Sequence, residues 1–340
     1  MTCSFTNTIQ RANLVVDKVT DPSGSAQSFD FTLSGTNVNQ AFALTDAAAA
    51  YDSGPLLPSS ENGTYNVAEA AVAGWDLTSA TCSNGSPASA VALNPGDTVT
   101  CTFTNTIQRA TILVDKVTDP TGSMQSFDFT LAGDGNSVNF QLADADVPFN
   151  SGELTPSSEA GPYSVVESLP AGWDQTSATC DNGDSPDSIS VDASATVTCT
   201  FTNTLQRSRI LVLQTTDPAG ASQLFDFQLT GSGVDQVFQL ADGDAAYDSG
   251  ELLPSNQNGT YGLVQAVVAG WDLVSADCDD GSPIDAIDVD PGETVTCTFL
   301  NRSQIPVVVP IDVPVNNPWA LLVLLLSVLG IGWYYRPMRA

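Results

Sequence analysis

Along Val99-Thr100-Cys101-Thr102-Phe103-Thr104-Asn105 apolar residues alternate with threonine. This pattern predicts a half-buried β-strand with Val99, Cys101 and Phe103 on the inner face. Asn105 keeps the inward parity, so a carboxamide falls at the core end of the strand, where it needs hydrogen-bond partners. Cys3, Cys101, Cys199 and Cys297 mark four copies of this strand, each 98 residues from the next. Trp75, Trp173 and Trp271 keep that spacing, as do Cys82, Cys180 and Cys278. The chain is therefore an array of repeats with no insertion between these markers.

Within the first full repeat the same reading predicts strands at Leu14 to Val19, through Phe29, Phe31 and Leu33, and around Phe42 and Leu44. Gly54 to Gly63 reads as loop. Further strands are predicted at Tyr65 to Glu69, at Trp75 to Cys82 and through Val91 and Leu93. Turns fall at Asp21-Pro22-Ser23-Gly24, Ala73-Gly74 and Asn94-Pro95-Gly96-Asp97. About seven short strands without a helical period give an all-β fold, a tandem array of antiparallel β-sandwiches. The expected boundaries are 12–108, 109–206 and 207–303. Residues 1–11 overlie the last strand of a repeat whose earlier strands would lie upstream, which leaves Cys3 unpaired and the chain truncated. The links at Thr106-Ile107-Gln108-Arg109 and Thr204-Leu205-Gln206-Arg207 are too short to be floppy, so a stiff rod is expected.

Composition narrows the function. Thirty-nine acidic residues against nine basic ones give a net charge of -30, which repels nucleic acid and anionic lipid. Histidine is absent, which removes Ser-His-Asp and Cys-His catalysis and His-ligated metal sites. No cofactor is implied, and a turnover enzyme is not expected. Cysteines come as one pair per repeat, the pattern of an oxidising compartment. The expected disulfides are Cys82 with Cys101, Cys180 with Cys199 and Cys278 with Cys297, each closing a 20-residue loop worth about 3 kcal/mol in the chain-entropy model.

After the third repeat, 304–317 reads as a proline-rich linker and 318–340 as one transmembrane helix with a basic tail. The uninterrupted apolar run from Trp319 to Tyr335 has 17 residues, about 25 Å as a helix. Trp319, Trp333, Tyr334 and Tyr335 serve as interfacial anchors, and Arg336 and Arg339 place the C-terminus in the cytoplasm.

Two resemblances follow. Leu14-Val15-Val16-Asp17-Lys18, Gly63-Thr64-Tyr65-Asn66-Val67-Ala68-Glu69, Ala73-Gly74-Trp75-Asp76-Leu77 and Val99 to Thr106 resemble the prealbumin-like modules of bacterial surface proteins, of the SpaA and Cna B types. The resemblance implies stalk and spacer units of adhesins and pili, many with an internal Lys-Asn isopeptide bond promoted by an acid. The tail from Val313 to Leu321, with Val313, Pro314 and Trp319 in matching places, is similar to the IPTL-CTERM sorting signal, while Val315 and Asn316 depart from it. That implies an exosortase as processing partner in a Gram-negative envelope.

Strand parity turns Lys18, Glu69 and Asn105 into one core, with Lys116, Glu167 and Asn203 as the second set. Burial lowers the amine pKa and raises the acid's, so a neutral amine could attack an amide polarised by a neutral acid. A buried or snorkelling Lys-Glu ion pair is the alternative. The third repeat has Gln214 and Gln265 in place of the lysine and glutamate, with Asn301 unchanged. A second function class, an adhesive or calcium-binding ectodomain, is raised by Asp242, Asp244 and Asp248 and by Asp279, Asp280, Asp285, Asp288 and Asp290. No EF-hand spacing supports it. Asn62-Gly63-Thr64 and Asn258-Gly259-Thr260 match glycosylation sequons and are assigned to turns. The sequence thus reads as an exported cell-surface stalk that spaces upstream repeats or a distal adhesive domain, anchored through its C-terminal helix.

Overall fold

The computed structural model describes residues 1–231 and 233–304. The chain divides into two compact units. Residues 1–208, with Glu251–Asn258 and Val289–Glu293, make up the first, and Arg209–Gly250, Gly259–Asp288 and the chain from Thr294 make up the second.

Repeat 1 has seven strands: β1 (Asn13–Asp21), β2 (Phe29–Gly35), β3 (Val38–Leu44), β4 (Tyr51–Asp52), β5 (Asn66–Glu69), β6 (Trp75–Cys82) and β7 (Thr98–Ile107). They form a four-stranded sheet ordered β4-β1-β7-β6 and a three-stranded sheet ordered β3-β2-β5. The alternation behaves as the sequence predicts. Leu14, Val16, Lys18 and Thr20 of β1 are buried, as are Val99, Cys101, Phe103, Asn105 and Ile107 of β7. Phe29, Phe31 and Leu33 of β2 face them from the other sheet. Edge-on ring contacts join the layers: Phe31 meets Phe103 with centroids 5.1 Å apart, and Phe29 meets Trp75 at 5.5 Å.

Repeats 2 and 3 reproduce this plan. The second has β8 (Thr111–Asp119), β9 (Phe127–Gly133), β10 (Asn136–Leu142), β11 (Phe149–Asn150), β12 (Ser164–Ser168), β13 (Trp173–Cys180) and β14 (Thr196–Leu205). The third has β15 (Arg209–Asp217), β16 (Phe225–Gly231), β17 (Val234–Leu240), β18 (Tyr247–Asp248), β19 (Gly262–Gln265), β20 (Trp271–Cys278) and β21 (Thr294–Ser303).

Three expectations are corrected. The sandwich is not wholly antiparallel: β1 and β7 pair in parallel, from Asn13 opposite Thr98 to Asp21 opposite Thr106. As first and last strands of the repeat they need no hairpin between them, so the rest of the domain serves as the crossover. Val91 and Leu93 are buried but form no strand. A 3-10 turn at Ala88–Ala90 precedes Val91, which meets Tyr65 through an isolated bridge. The Gly54 to Gly63 loop contains one helical turn, Ser59–Asn62. Among the described residues no helix is long and apolar enough to cross a membrane. The expected span at 318–340, and Val313, Pro314 and Trp319 of the sorting motif, lie outside the described residues.

Two local devices fix the repeat. The ring of Tyr65 lies where a Cβ on Gly35 would fall, 2.7 Å away, and the same crowding recurs between Gly133 and Tyr163. Only glycine admits the tyrosine there. At the far end of β1, the Asp46 carboxylate accepts bonds from the backbone amides of Thr20 and Gly24, closing the turn predicted at Asp21 to Gly24. Within the first unit, Arg109 in the link donates to Thr155 Oγ1 of repeat 2 at 2.7 Å and lies 3.9 Å from Asp21 of repeat 1. Ser25 of repeat 1 donates to Glu159 of repeat 2 at 3.0 Å.

Candidate functional site: the buried Lys-Glu-Asn trio

Lys18 reaches the core because it keeps the parity of Leu14 and Val16, and Asn105 because it keeps that of Val99, Cys101 and Phe103. Their strands are hydrogen-bonded neighbours, with Lys18 opposite Phe103 and Thr20 opposite Asn105. The acid comes from the other layer, since Glu69 ends β5, paired with Phe31 of β2. Beside Asn105, the pairing of β6 with β7 shifts register between Leu77 and Ser79. The bulged Thr78 donates its hydroxyl to Thr104 O at 3.1 Å, which fixes the strand next to the amide.

Lys18 is 2% exposed and Asn105 3%. The Lys18 amine donates to Asn105 Oδ1 at 3.0 Å and to the backbone carbonyls of Val19 at 2.8 Å and Phe103 at 3.4 Å. It also lies 4.1 Å from the centroid of the Phe29 ring. Neither buried oxygen of Glu69 has a hydrogen-bond partner within 3.5 Å, although the Asn105 side chain lies close enough to pull its pKa down against the stronger lift from burial. Burial pushes the Lys18 pKa down, against the opposing pull of Glu69 and Asp46, and pushes that of Glu69 up, against the pull of Lys18.

Repeat 2 builds the same trio with a different contact. Lys116 donates to the carbonyls of Val117 at 2.8 Å and Phe201 at 3.3 Å and lies 4.2 Å from the centroid of the Phe127 ring. Its amine is 3.7 Å from Glu167 Oε1, both side chains fully buried. Neither the amide atoms of Asn203 nor the oxygens of Glu167 have a hydrogen-bond partner within 3.5 Å, although Lys116 and Asn203 lie close enough to pull the Glu167 pKa down against the stronger lift from burial. Desolvation lowers the Lys116 pKa and raises that of Glu167, each opposed by the charge of the other.

Such an arrangement favours the neutral forms of amine and acid. A neutral amine can add to the asparagine Cγ, the acid can donate its proton to the departing nitrogen and take one back from the added amine, and cleavage of the Cγ–Nδ2 bond releases ammonia and leaves a secondary amide with the acid regenerated. Water is largely excluded from this core, so hydrolysis does not compete.

Repeat 3 replaces the trio by three amides. Gln214 Nε2 donates to Asn301 Oδ1 at 3.0 Å and to Thr215 O at 2.7 Å. Gln265 Nε2 donates to Gln214 Oε1 at 2.8 Å and to Asn301 Oδ1 at 2.9 Å, and Asn301 Nδ2 returns a bond to Gln265 Oε1 at 3.0 Å. The ring of bonds closes without charge.

The cysteines lie where the spacing places them: Cys82 with Cys101, Cys180 with Cys199 and Cys278 with Cys297 are bonded, and Cys3 is free and exposed. Each disulfide staples an edge strand to the strand that carries the asparagine. Several acidic side chains behind the calcium reading serve their own loops. Asp242 accepts from Gly220 N and Thr216 Oγ1, and these bonds, the Gly220 one foremost, hold its pKa low. Asp244 accepts from Ala241 N, Asp248 from Gly250 N, and Asp279 from Thr296 N. Among the described residues no three acidic or thiol groups gather into a metal site. Phe29, expected in the core, and its counterpart Phe127 also lie beneath the lysine amines, a contact across the layers that strand parity does not reveal.

Residues 14–107, 112–205 and 211–303 match the family of prealbumin-like fold domains. Among solved structures, the Bacillus anthracis TIE protein superposes with a TM-score of 0.56 at 15% identity, over 86% of this chain and 51% of its own. The pilus adhesin SpaC of Lactobacillus rhamnosus GG gives 0.34 at 15% identity over 86% and 44%. Two B repeat units of the collagen binding protein of Staphylococcus aureus give 0.30 at 12% identity over 86% and 74%. The TIE match supports the fold, and the other two superpose too loosely to add to it. This chain spans about half the length of the TIE structure and less than half of SpaC. No curated protein matches it. Since the three matched copies take up most of the 340 residues and share one two-sheet plan, the chain belongs to the prealbumin-like fold domain family.

Proposed function

We propose that this chain is a structural stalk of the bacterial cell surface, in which repeats 1 and 2 carry Lys18-Asn105 and Lys116-Asn203 isopeptide bonds formed with the help of Glu69 and Glu167. The observation that carries the reading is the buried amine of Lys18, 3.0 Å from the Asn105 amide oxygen beside a carboxyl group that lacks hydrogen-bond partners. An ordinary buried ion pair is stable when its remaining lone pairs are satisfied. Here they are not satisfied within 3.5 Å, and conversion to an amide leaves the core with no amine that could take up a charge. The work of such a chain is mechanical: it spaces upstream repeats or a distal adhesive domain from the envelope. Membership of the prealbumin-like fold domain family, in three tandem copies, supports this reading.

The tail supplies the attachment. Residues 304–317 form the linker and sorting motif, with Val313, Pro314 and Trp319 read by an exosortase, and 318–340 holds the chain in the membrane before processing. Deleting 313–340 is expected to move the repeats from the envelope fraction into the culture medium. Retention of the shortened chain in the envelope would overturn the anchor assignment. A branched peptide joining Lys18 to Asn105, found after proteolysis of the exported protein, is the expected mark of the crosslink. Linear, unmodified Lys18 and Asn105 peptides would overturn it.

A further inference from the structure

The chain enters each repeat at the start of the first strand and leaves at the end of the last, and these two strands are parallel neighbours. Tension on the two ends therefore slides one strand past the other. The evenly spaced bonds of the parallel pair are loaded together, not one at a time. Where the load goes next depends on the trio. In repeat 1 a bond between Lys18 and Asn105, 87 residues apart in sequence, carries load from β1 directly into β7 and leaves everything between them unstrained. Repeat 2 has the same short cut between Lys116 and Asn203. Repeat 3 has hydrogen bonds at the equivalent place, from Gln214 and Gln265 to Asn301. At the end of its strand pair it adds an exposed ion pair, Arg302 Nε to Asp217 Oδ2 at 2.8 Å.

We infer that repeat 3 is the reversible extension element of the array, the one full repeat that unfolds under load and refolds on release, while repeats 1 and 2 transmit force at fixed length. The inference rests on the crosslinks proposed above. Every connection across the β15 and β21 clamp is non-covalent, so it re-forms once the strands return. The disulfides take different roles as a result. Cys82 and Cys101 fall between Lys18 and Asn105 along the chain and never bear load. Cys278 and Cys297 do bear it once the clamp parts, and they withhold their 19-residue separation from extension.

Stretching single full-length molecules held by their two ends tests this, on a sample whose intact mass has been measured. One unfolding step is expected. Its length follows from the separation of Arg209 and Ser303, the outer ends of β15 and β21, less the 19-residue separation of the two cysteines, which releases roughly 255 Å of fully extended chain. Adding a small dithiol, which is oxidised as it reduces Cys278–Cys297 on the stretched chain, should lengthen that step by about 65 Å. Lys18→Ala should add a second step. Any number of steps other than one, in molecules whose mass shows both ammonias lost, would overturn the inference and leave the crosslinks standing. Three steps in molecules that have lost no ammonia would overturn the crosslinks themselves.

Discussion

Repeats 2 and 3 place different chemistry on the same backbone. In repeat 2 a lysine, a glutamate and an asparagine meet in a dry core, with the carboxylate and amide atoms short of hydrogen-bond partners. In repeat 3 two glutamines stand in for the lysine and glutamate, and bonds of 2.8–3.0 Å join them to each other and to the asparagine. The three amides of repeat 3 satisfy one another, and the lysine, glutamate and asparagine of repeat 2 leave carboxyl and amide atoms without a partner within 3.5 Å. A buried polar group left unsatisfied costs about 1–3 kcal/mol, and a charged one more. Two repeats of one chain that share strands, disulfide and aromatic core therefore differ in whether the buried trio satisfies its own hydrogen bonds, and the proposed crosslink is the reaction that difference would permit.

The largest expected effect comes from removing the amine. Lys116→Met forbids the crosslink and leaves Glu167 without its amine partner among apolar neighbours, so repeat 2 loses both its covalent closure and the partner of a buried acid. Gln214→Met in repeat 3 removes only neutral hydrogen bonds, about 1–3 kcal/mol. Hydrogen-exchange protection of β8 and β14 peptides against β15 and β21 peptides reads both within the intact chain. Equal losses would erase the distinction between the repeats.

Converting repeat 3 into repeat 2 is the next test. Gln214→Lys combined with Gln265→Glu restores amine and acid opposite Asn301, and the chain should lose one further ammonia and gain protection in repeat 3. A folded variant of unchanged composition would show that the trio alone does not suffice.

The smallest effect is in pH dependence, and it needs a chain blocked by Asn203→Ala. Burial raises the Glu167 pKa above the ordinary 4.5, so folded repeat 2 keeps a proton that the unfolded chain has released, and its stability falls as pH climbs from 4.5 to the native value. Burial lowers the Lys116 pKa below 10.5, so the unfolded chain binds the extra proton there and stability recovers as pH rises towards 10.5. A crosslinked repeat would lack the second limb, and repeat 3, with Gln214 and Gln265 at these places, lacks both. Urea titrations across pH, followed by hydrogen exchange, should separate the three behaviours. A second limb in the wild-type repeat would mean that Lys116 still titrates.

Much of this was legible in the sequence because period-two alternation fixes which face a side chain takes. Lys18, Asn105 and Glu69 were placed inward by parity alone, and Cys82 with Cys101 by repeat spacing. Alternation says nothing about which strand lies alongside, however. The parallel pairing of β1 with β7 is set by the closure of the whole domain, and it alone puts Lys18 on the strand next to Asn105. Val91 and Leu93 show the opposite failure. Two buried apolar residues in alternation mimic a strand, but Pro87 and the turn after Leu93 leave room for only one bridge to Tyr65. Phe29 was read as core, which it is, and its second role beneath the Lys18 amine depends on a cross-layer distance that no local pattern carries.

The central claim is that repeats 1 and 2 are covalently closed and repeat 3 is not. The intact mass of the exported chain, corrected for its three disulfides, measures this directly. Two missing ammonias are expected, with one restored by Lys18→Ala, one by Lys116→Ala and none by Gln214→Ala. A wild-type chain at its full sequence mass, with both lysines free in folded repeats, would contradict the account and leave the two trios as buried ion pairs.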